Sequence, residues 1–537
     1  MLRIANFGGP FDAEEALEHL VERHLELPPG SVARLAIVKK AVDARRYHGA
    51  PIQFVYTLDA ELRGPERRIL ARLGRGKQLS KAPDGGGGPS FSARPRREKE
   101  LRPVVVGFGP AGIFAALELA RQGWQPVVLE RGQAVERRQE DVARFWGGGT
   151  FSPASNVQFG EGGAGAFSDG KLTTRLKDPL GAEVLEALIE AGAPEEIRYL
   201  HKPHLGTDRL RGIVKGIRER ILRLGGEVRF CSQATDFETR AGQVAAVIVN
   251  GEERIPADAV FLGIGHSARD TYAMLLEKGI SMEAKAFAMG VRIEHPQSFI
   301  DRAQYGDDAG HPRLPAADYA LTAKAGGRGV YTFCMCPGGQ VVAAASEEGG
   351  VAVNGMSCYR RDSGIANSAL LVTTGPEDFG SDALAGIRFQ REWEKRAFLL
   401  GGGDFRAPVQ SVGEFLQGGS GGGDFLVAPT YRPGVRPGNL RECLPEFVAD
   451  ALAEALPVFD RKLPGFAAPN APMTGVETRS SAPCRIRRDR EDFVSESIGG
   501  LYPIGEGAGY AGGIMSAAMD GLKAARAFLR HRMEMEA

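Results

Sequence analysis

Residues 160–171 read GEGGAGAFSDGK, and from Gly165 the string GAFSDGK follows most of the spacing of a phosphate-gripping P-loop. A working P-loop also needs Ser or Thr directly after the lysine to hold magnesium, and a buried strand directly before the glycines. Here Leu172 follows Lys171, and NVQFGEGGAG is no ordinary buried strand. The pattern therefore argues against nucleoside-triphosphate binding and leaves two readings. Gly165 and Gly170 can bring the backbone close to another phosphate-linked ring, with Ser168, Asp169 and Lys171 positioning it or a substrate. Alternatively, the segment is a tight turn in which Asp169 pairs with Lys171.

Proton and thiol chemistry have fewer carriers. His266 and His295 titrate near neutrality and can shuttle a proton or simply bond a backbone carbonyl. Cys336, in CMCPGG, can act as a thiol, although nothing near it in sequence would lower its pKa, and a buried apolar role is the preferred reading. The six cysteines are scattered along the chain, which argues for reduced thiols. The C-x-C of Cys334 and Cys336 lacks the spacing and the second pair of a zinc site, so no metal is expected. Arg292 in GVRIEH and Arg479, Arg485, Arg487 and Arg488 in ETRSSAPCRIRRD could hold a carboxylate or a nicotinamide phosphate. For the last cluster an acid-paired surface is an equal alternative, given Asp489, Glu491 and Asp492 alongside.

The elements that must position these groups centre on a dinucleotide fingerprint. G-x-G-x-x-G occurs at Gly107, Gly160 and Gly507, but only PVVVGFGPAGIFAALELARQGWQPVVLERG supplies strand, glycines, helix, second strand and terminal acid in order. Val104 to Val106 suit a strand buried on both faces. Gly107 permits the tight turn, Gly109 lets a pyrophosphate approach and Gly112 seats the helix, which opens at Pro110 and Ala111 and turns its unpaired first-turn N–H groups toward the anion. Glu130, followed by Arg131, stands where ribose hydroxyls would be bound. Near the other end, IGGLYPIGEGAGYAGGIMSAAMDGLKAARAFLR reads as strand, acid, glycine turn and helix. Too little chain follows for a second nucleotide unit. This segment is expected to complete the first, with Gly505, Glu506, Gly512 and Gly513 around the cofactor and the helix from Ile514 and Met515 aimed at a flavin ring. Between them, strands starting near Ala234 lead to Gly263 and Gly265, returning the chain to the same sheet.

At 537 residues the chain has room for two or three domains, and 67 basic against 67 acidic residues leave no net field for nucleic acid or an anionic membrane. No segment has the apolar length of a membrane span, and cytoplasm is the default. The expected organisation is a small α+β domain over 1–82 with about three strands, a Gly/Pro-rich linker over 83–100, and a discontinuous Rossmann-like α/β domain over 101–279 and 475–537. A β-rich α+β substrate domain is inserted over 280–474.

Taken together, the stretches GFGPAGIFAALELA, SNVQFGEGGAGAFSDGKLTTR, GIGHSARDTY, YTFCMCPGGQVVAAASE, ETRSSAPCRIRRD and LYPIGEGAGYAGGIMSAAMDG resemble two-dinucleotide-binding-domain flavoproteins. Specifically, the chain resembles the bacterial family of uncharacterised FAD-dependent dehydrogenases over nearly its whole length. The resemblance implies bound FAD, a Rossmann-like FAD domain in discontinuous pieces, an inserted β-rich domain and an undefined substrate; the two-ended FAD site points to a hydride passed between a small molecule and the flavin. With no second nucleotide unit, NADH or NADPH would dock only transiently as reductant. A flavin-containing module that binds a partner or RNA through the first domain and RPRREKE, or a flavin-dependent RNA-modifying enzyme, is the alternative; zero net charge weighs against it.

Overall fold

The run Val104–Val106 forms the central strand of a five-stranded parallel sheet in the computed structural model, which describes residues 1–45, 50–64, 66–73, 78–83, 91–174 and 176–534. Leu501–Pro503 and Val260–Leu262 lie on one side of it, Val127–Leu129 and Glu227–Arg229 on the other. Alternation splits its side chains between two layers. Val105, Phe261 and Tyr502 face the helices Pro110–Arg121, Gly206–Arg223 and Ile514–Glu534, and the Phe261 ring stacks on Tyr502 at 4.8 Å. Val104, Val106, Val260 and Leu262 face a three-stranded antiparallel layer made by Ala234–Arg240, Gln243–Val249 and Glu253–Pro256. Each such fully buried side chain contributes at most about 1.5–3 kcal/mol. The helices at Pro110 and Ile514 cross closely because Gly521 lies on the Ala111 carbonyl, where a Cβ would overlap it.

The chain leaves this sheet through Met282–Ala284 and returns through Cys484–Ile486, and those two strands pair antiparallel. Between them lies a seven-stranded mixed sheet with Ile365–Thr374 and Phe287–Pro296 at its centre and the helix Glu446–Lys462 in its core. The strand Arg328–Cys336 lies beside Ile365–Thr374, with its register broken between Phe333 and Cys336. No helix among the described residues is long and apolar enough to cross a membrane.

Among its described residues the first domain has four strands and two helices, in the strand order Val32–Asp43, Gln53–Leu62, Leu2–Pro10, Leu79–Lys81. The fourth strand, three residues long, is too short to announce itself by alternation. Of the expected linker, residues 84–90 lie outside the described residues. The basic cluster after it folds back: Arg94 pairs with Glu100 at 2.6 Å, and Arg96 donates to the Glu100 carbonyl at 2.6 Å.

Candidate functional site

A cavity of about 740 Å³ opens at the carboxyl ends of the parallel strands, where open α/β sheets bind their ligands. At one end Gly107 makes the turn out of the central strand with φ +90°; a side chain there would be strained and would strike the Gly263 carbonyl. Gly112 rests on the Gly107 carbonyl with no room for a Cβ, so the helix begins hard against the sheet. Gly109 caps that helix without a side chain and Pro110 is its first residue. The remaining first-turn amides have no intrahelical acceptor and, with the helix dipole, favour an anion. Glu130 accepts hydrogen bonds from the backbone N–H of Phe108 at 2.8 Å, Gly132 at 2.9 Å and Gly160 at 3.0 Å. It ties the three loops that meet there, and both it and Arg131 line the cavity. Arg131 pairs with Asp270 at 3.0 Å and lies over the Phe159 ring.

The loop expected to bring bare backbone to the ring does line the cavity through Gly163, Gly165, Ser168, Asp169, Gly170 and Lys171. It is shaped by Arg138, which no sequence pattern singled out. Arg138 is fully buried and donates to the carbonyls of Asn156 at 2.8 Å, Val157 at 3.0 Å, Gly160 at 3.2 Å and Glu161 at 2.7 Å. Burial lowers its pKa to about 10, with Glu130 and Glu161 opposing, so it stays cationic at neutral pH.

Asp169 and Lys171 do pair, at 2.9 Å, but in the interior rather than on a surface turn. Ser357 donates to the Asp169 carboxylate, Arg361 pairs with it at 2.5 Å, and Lys171 donates to the Met335 carbonyl. Burial would raise Asp169, yet Lys171 and Arg361 prevail and hold it near about 2.

At the far end the helix Ile514–Glu534 points its first turn into the cavity, lined there by Gly512, Gly513, Ile514 and Glu506. Gly165 packs on Ile514 across the cleft. Burial pushes the Glu506 carboxyl up to about 7 against the pull of Lys285, and Cys334 adds to the rise. His266 faces the cavity with Nδ1 2.9 Å from the Ser267 hydroxyl. Burial, with Arg479 and Arg269 beside it, lowers it to about 3, which favours the neutral imidazole at physiological pH. Ala234, Gly263 and Gly265 complete the wall on the sheet side.

Several expected residues stand elsewhere. Gly112 and Gly505 pack behind the cavity, Gly505 against Ala111, and Met515 is buried in the helical layer. His295 lies inside the inserted domain, bonded to the Phe466 carbonyl at 2.8 Å and lowered by burial to about 4. Cys336 is fully buried, as the core reading had it, and Cys334 faces the cavity in its place. Arg292 is bound to Glu477 at 2.7 Å, Arg485 to Glu283 at 2.8 Å, Arg487 to Glu496 at 2.9 Å and Arg488 to Asp520 at 2.6 Å, so each is engaged by an acid. Arg479 lines the cavity but is neutralised by Glu394 at 2.8 Å. Of these acids, Glu477 opens the ETRSSAPCRIRRD stretch itself and Glu496 follows it closely, whereas Glu283, Asp520 and Glu394 come from elsewhere in the chain. The inserted sheet also contributes Tyr331 and Phe333, which carried no signal in the sequence.

A glycine turn under a helix, an acid after the next strand and a second helix aimed into the same cleft are the construction of a Rossmann-type FAD-binding flavoprotein. The donor set fits that cofactor. Gly109 and Gly163 present facing backbone where side chains would fill the cleft, and a helix N-terminus stands at each end.

Residues 286–480 match the family described as FAD-dependent protein, C-terminal domain-like. An uncharacterised protein of Clostridium beijerinckii is 50% identical over 535 residues, covering 98% of each chain. A FAD-dependent monooxygenase of Aspergillus nanangensis is 27% identical over 185 residues, 33% of this chain and 37% of that one. Among solved structures, glycine oxidase from Geobacillus kaustophilus aligns with TM-score 0.35 at 11% identity, over 80% of this chain and 95% of that one. Glycerol-3-phosphate dehydrogenase from Bacillus halodurans, complexed with FAD, aligns with TM-score 0.34 at 13% identity, over 81% and 66%. The chain belongs to the same family as the uncharacterised Clostridium protein, a bacterial family of FAD-dependent proteins.

Proposed function

We propose that this protein is a FAD-dependent oxidoreductase that passes a hydride between a small-molecule substrate and FAD seated in the cavity, with NADH or NADPH docking transiently as reductant. The observation that carries this reading is the continuity of the cavity from Glu130, past the Pro110 helix, to Glu506 and the Ile514 helix. In it, Glu130 and Arg131 hold the adenosine end, and the first-turn amides of Pro110–Arg121 hold the pyrophosphate. Gly163 and Gly165 lie against the ring system, and the Ile514 helix N-terminus stabilises negative charge developed on the reduced ring.

FAD, when bound, supplies the two-electron chemistry itself. The chain's own residues orient it, exclude water and manage protons. Glu506, raised to about 7, can hold or release a proton near neutral pH at that end. The exposed Phe333 and its neighbour Tyr331 form an apolar wall for the substrate. A cytoplasmic setting belongs to this reading, supported by six cysteines scattered over 537 residues.

The test is purification followed by denaturation and flavin analysis, then anaerobic mixing with each pyridine nucleotide. The expected result is a yellow protein releasing FAD, bleached by one nucleotide. A colourless protein that does not take up added FAD overturns the reading, and flavin that stays oxidised overturns the part assigned to NADH and NADPH.

A further inference from the structure

The strand Arg328–Cys336 pairs Phe333 with Ala369 and then Cys336 with Asn367, so Cys334 and Met335 bulge out of the ladder. Cys334 takes φ +43°, a left-handed conformation uncommon for a residue with a side chain, which turns it into the cavity while Cys336 stays buried directly behind. The Cys336 thiol donates to the Cys334 carbonyl at 3.2 Å, which keeps its sulfur close behind Cys334.

Two cations flank the pair. Lys171 reaches the Met335 carbonyl between the cysteines, and Arg292 donates to the Cys334 carbonyl at 2.6 Å with its guanidinium 3.6 Å from the Cys336 sulfur. Asp169, Glu477 and Glu506 are the carboxylates around them. Cys336 beside it lowers the Cys334 thiol against its burial, with Lys171 and Arg292 adding to the effect, whereas Cys336 is raised. One cavity-facing, ionisable sulfur backed by a buried second sulfur is the arrangement of a reversible redox pair.

We propose that Cys334 and Cys336 form a dithiol–disulfide couple that exchanges an electron pair with the cofactor of this cavity. The inference rests on the FAD reading above. In the oxidising direction both sulfurs give up their hydrogens and one S–S bond forms. Two electrons and one proton pass to oxidised FAD, and the second proton goes to solvent. In the reverse direction reduced FAD returns the electron pair, a proton is taken from solvent, and the S–S bond opens to two thiols.

The test uses the FAD-loaded full-length protein, oxidised with diamide and freed of reagent. Anaerobic dithionite titration of the wild type is expected to consume two electron pairs per FAD, and Cys336→Ser one. Peptide mapping of the oxidised wild type, without alkylation of these residues, should find Cys334 joined to Cys336 and two hydrogens lost. The inference is overturned by a yellow wild-type protein that consumes a single electron pair and leaves both thiols open to iodoacetamide after diamide. A colourless protein instead overturns the FAD reading and this coupling with it, which keeps the two failures distinct. The wild-type titration and mapping decide the matter even where Cys336→Ser does not fold.

Discussion

Arg138→Leu isolates the group that shapes the glycine loop without touching the cavity itself. The guanidinium makes four bonds to backbone carbonyls, from 2.7 to 3.2 Å, and has no bonded carboxylate. Hydrogen bonds to a charged donor are worth about 1.5–3 kcal/mol each. Their sum overstates the effect, because burying the cation costs several kcal/mol and leucine removes that cost as well. What remains is a set of carbonyls without donors, at about 1–3 kcal/mol each where water does not reach them. With four carbonyls left unpaired and the cost of burying the cation subtracted, the expected net loss is about 3–5 kcal/mol. Because Gly160 and Glu161 lead directly into Gly163, some of that loss falls on cofactor binding. About 1.4–2.8 kcal/mol there raises the FAD Kd ten- to a hundredfold. Flavin fluorescence titration of the FAD-free protein measures the affinity, and its thermal unfolding measures the stability. Arg138→Lys, with three donors on one centre, should recover part of both. If Arg138→Leu binds FAD as tightly as wild type and loses less than about 1 kcal/mol, the loop does not depend on this residue and the reasoning fails.

Glu506→Gln tests the raised carboxyl. A pKa raised from 4.5 to about 7 means the folded state holds this proton more tightly than the unfolded one. Relative to the variant, wild-type stability is therefore full below about pH 4.5 and declines as pH rises through about 7, by at most about 3 kcal/mol; parallel pH profiles of unfolding would refute this. Asp169→Asn probes the opposite sign. Held near about 2 against 3.8, Asp169 contributes about 2 kcal/mol that is present above pH 4 and lost as pH falls through about 2. At pH 7 the variant should lose about 3–5 kcal/mol, since Lys171 and Arg361 are left without their counter-charge, and thermal melts at pH 7 and pH 3 should show that gap narrowing in acid.

The parts of the site legible in the sequence are those whose partners are close along the chain. Gly107, Gly112 and Glu130 belong to one strand–helix–strand unit, so their spacing alone reports the turn, the helix seat and the acid. The helix at Ile514 shows in its own apolar periodicity. Asp169 and Lys171 are two residues apart, and their pairing could be read from that. Their burial could not, because Ser357 and Arg361 come from the inserted domain. Arg138 sits in VERRQEDVARFW, which reads as an ordinary charged helix, and its four acceptors arrive from a loop some twenty residues later. Strand alternation puts Cys334 and Cys336 on one face, and only the broken register parts them. His295 could not be placed by its type, because the Phe466 carbonyl that holds it comes from a distant turn.

The order of the parallel strands carries a consequence for synthesis of the chain. Val260–Leu262 pairs on one side with Val104–Val106, made long before it, and on the other with Leu501–Pro503, made some 240 residues later. During that interval a growing polypeptide carries an unpaired apolar border, the kind of surface that invites association with other chains. The pocket also lacks its last wall until the Ile514 helix has left the ribosome. FAD capture is therefore a late event of biogenesis, and a nascent chain halted before residue 501 should be caught by chaperones rather than by flavin.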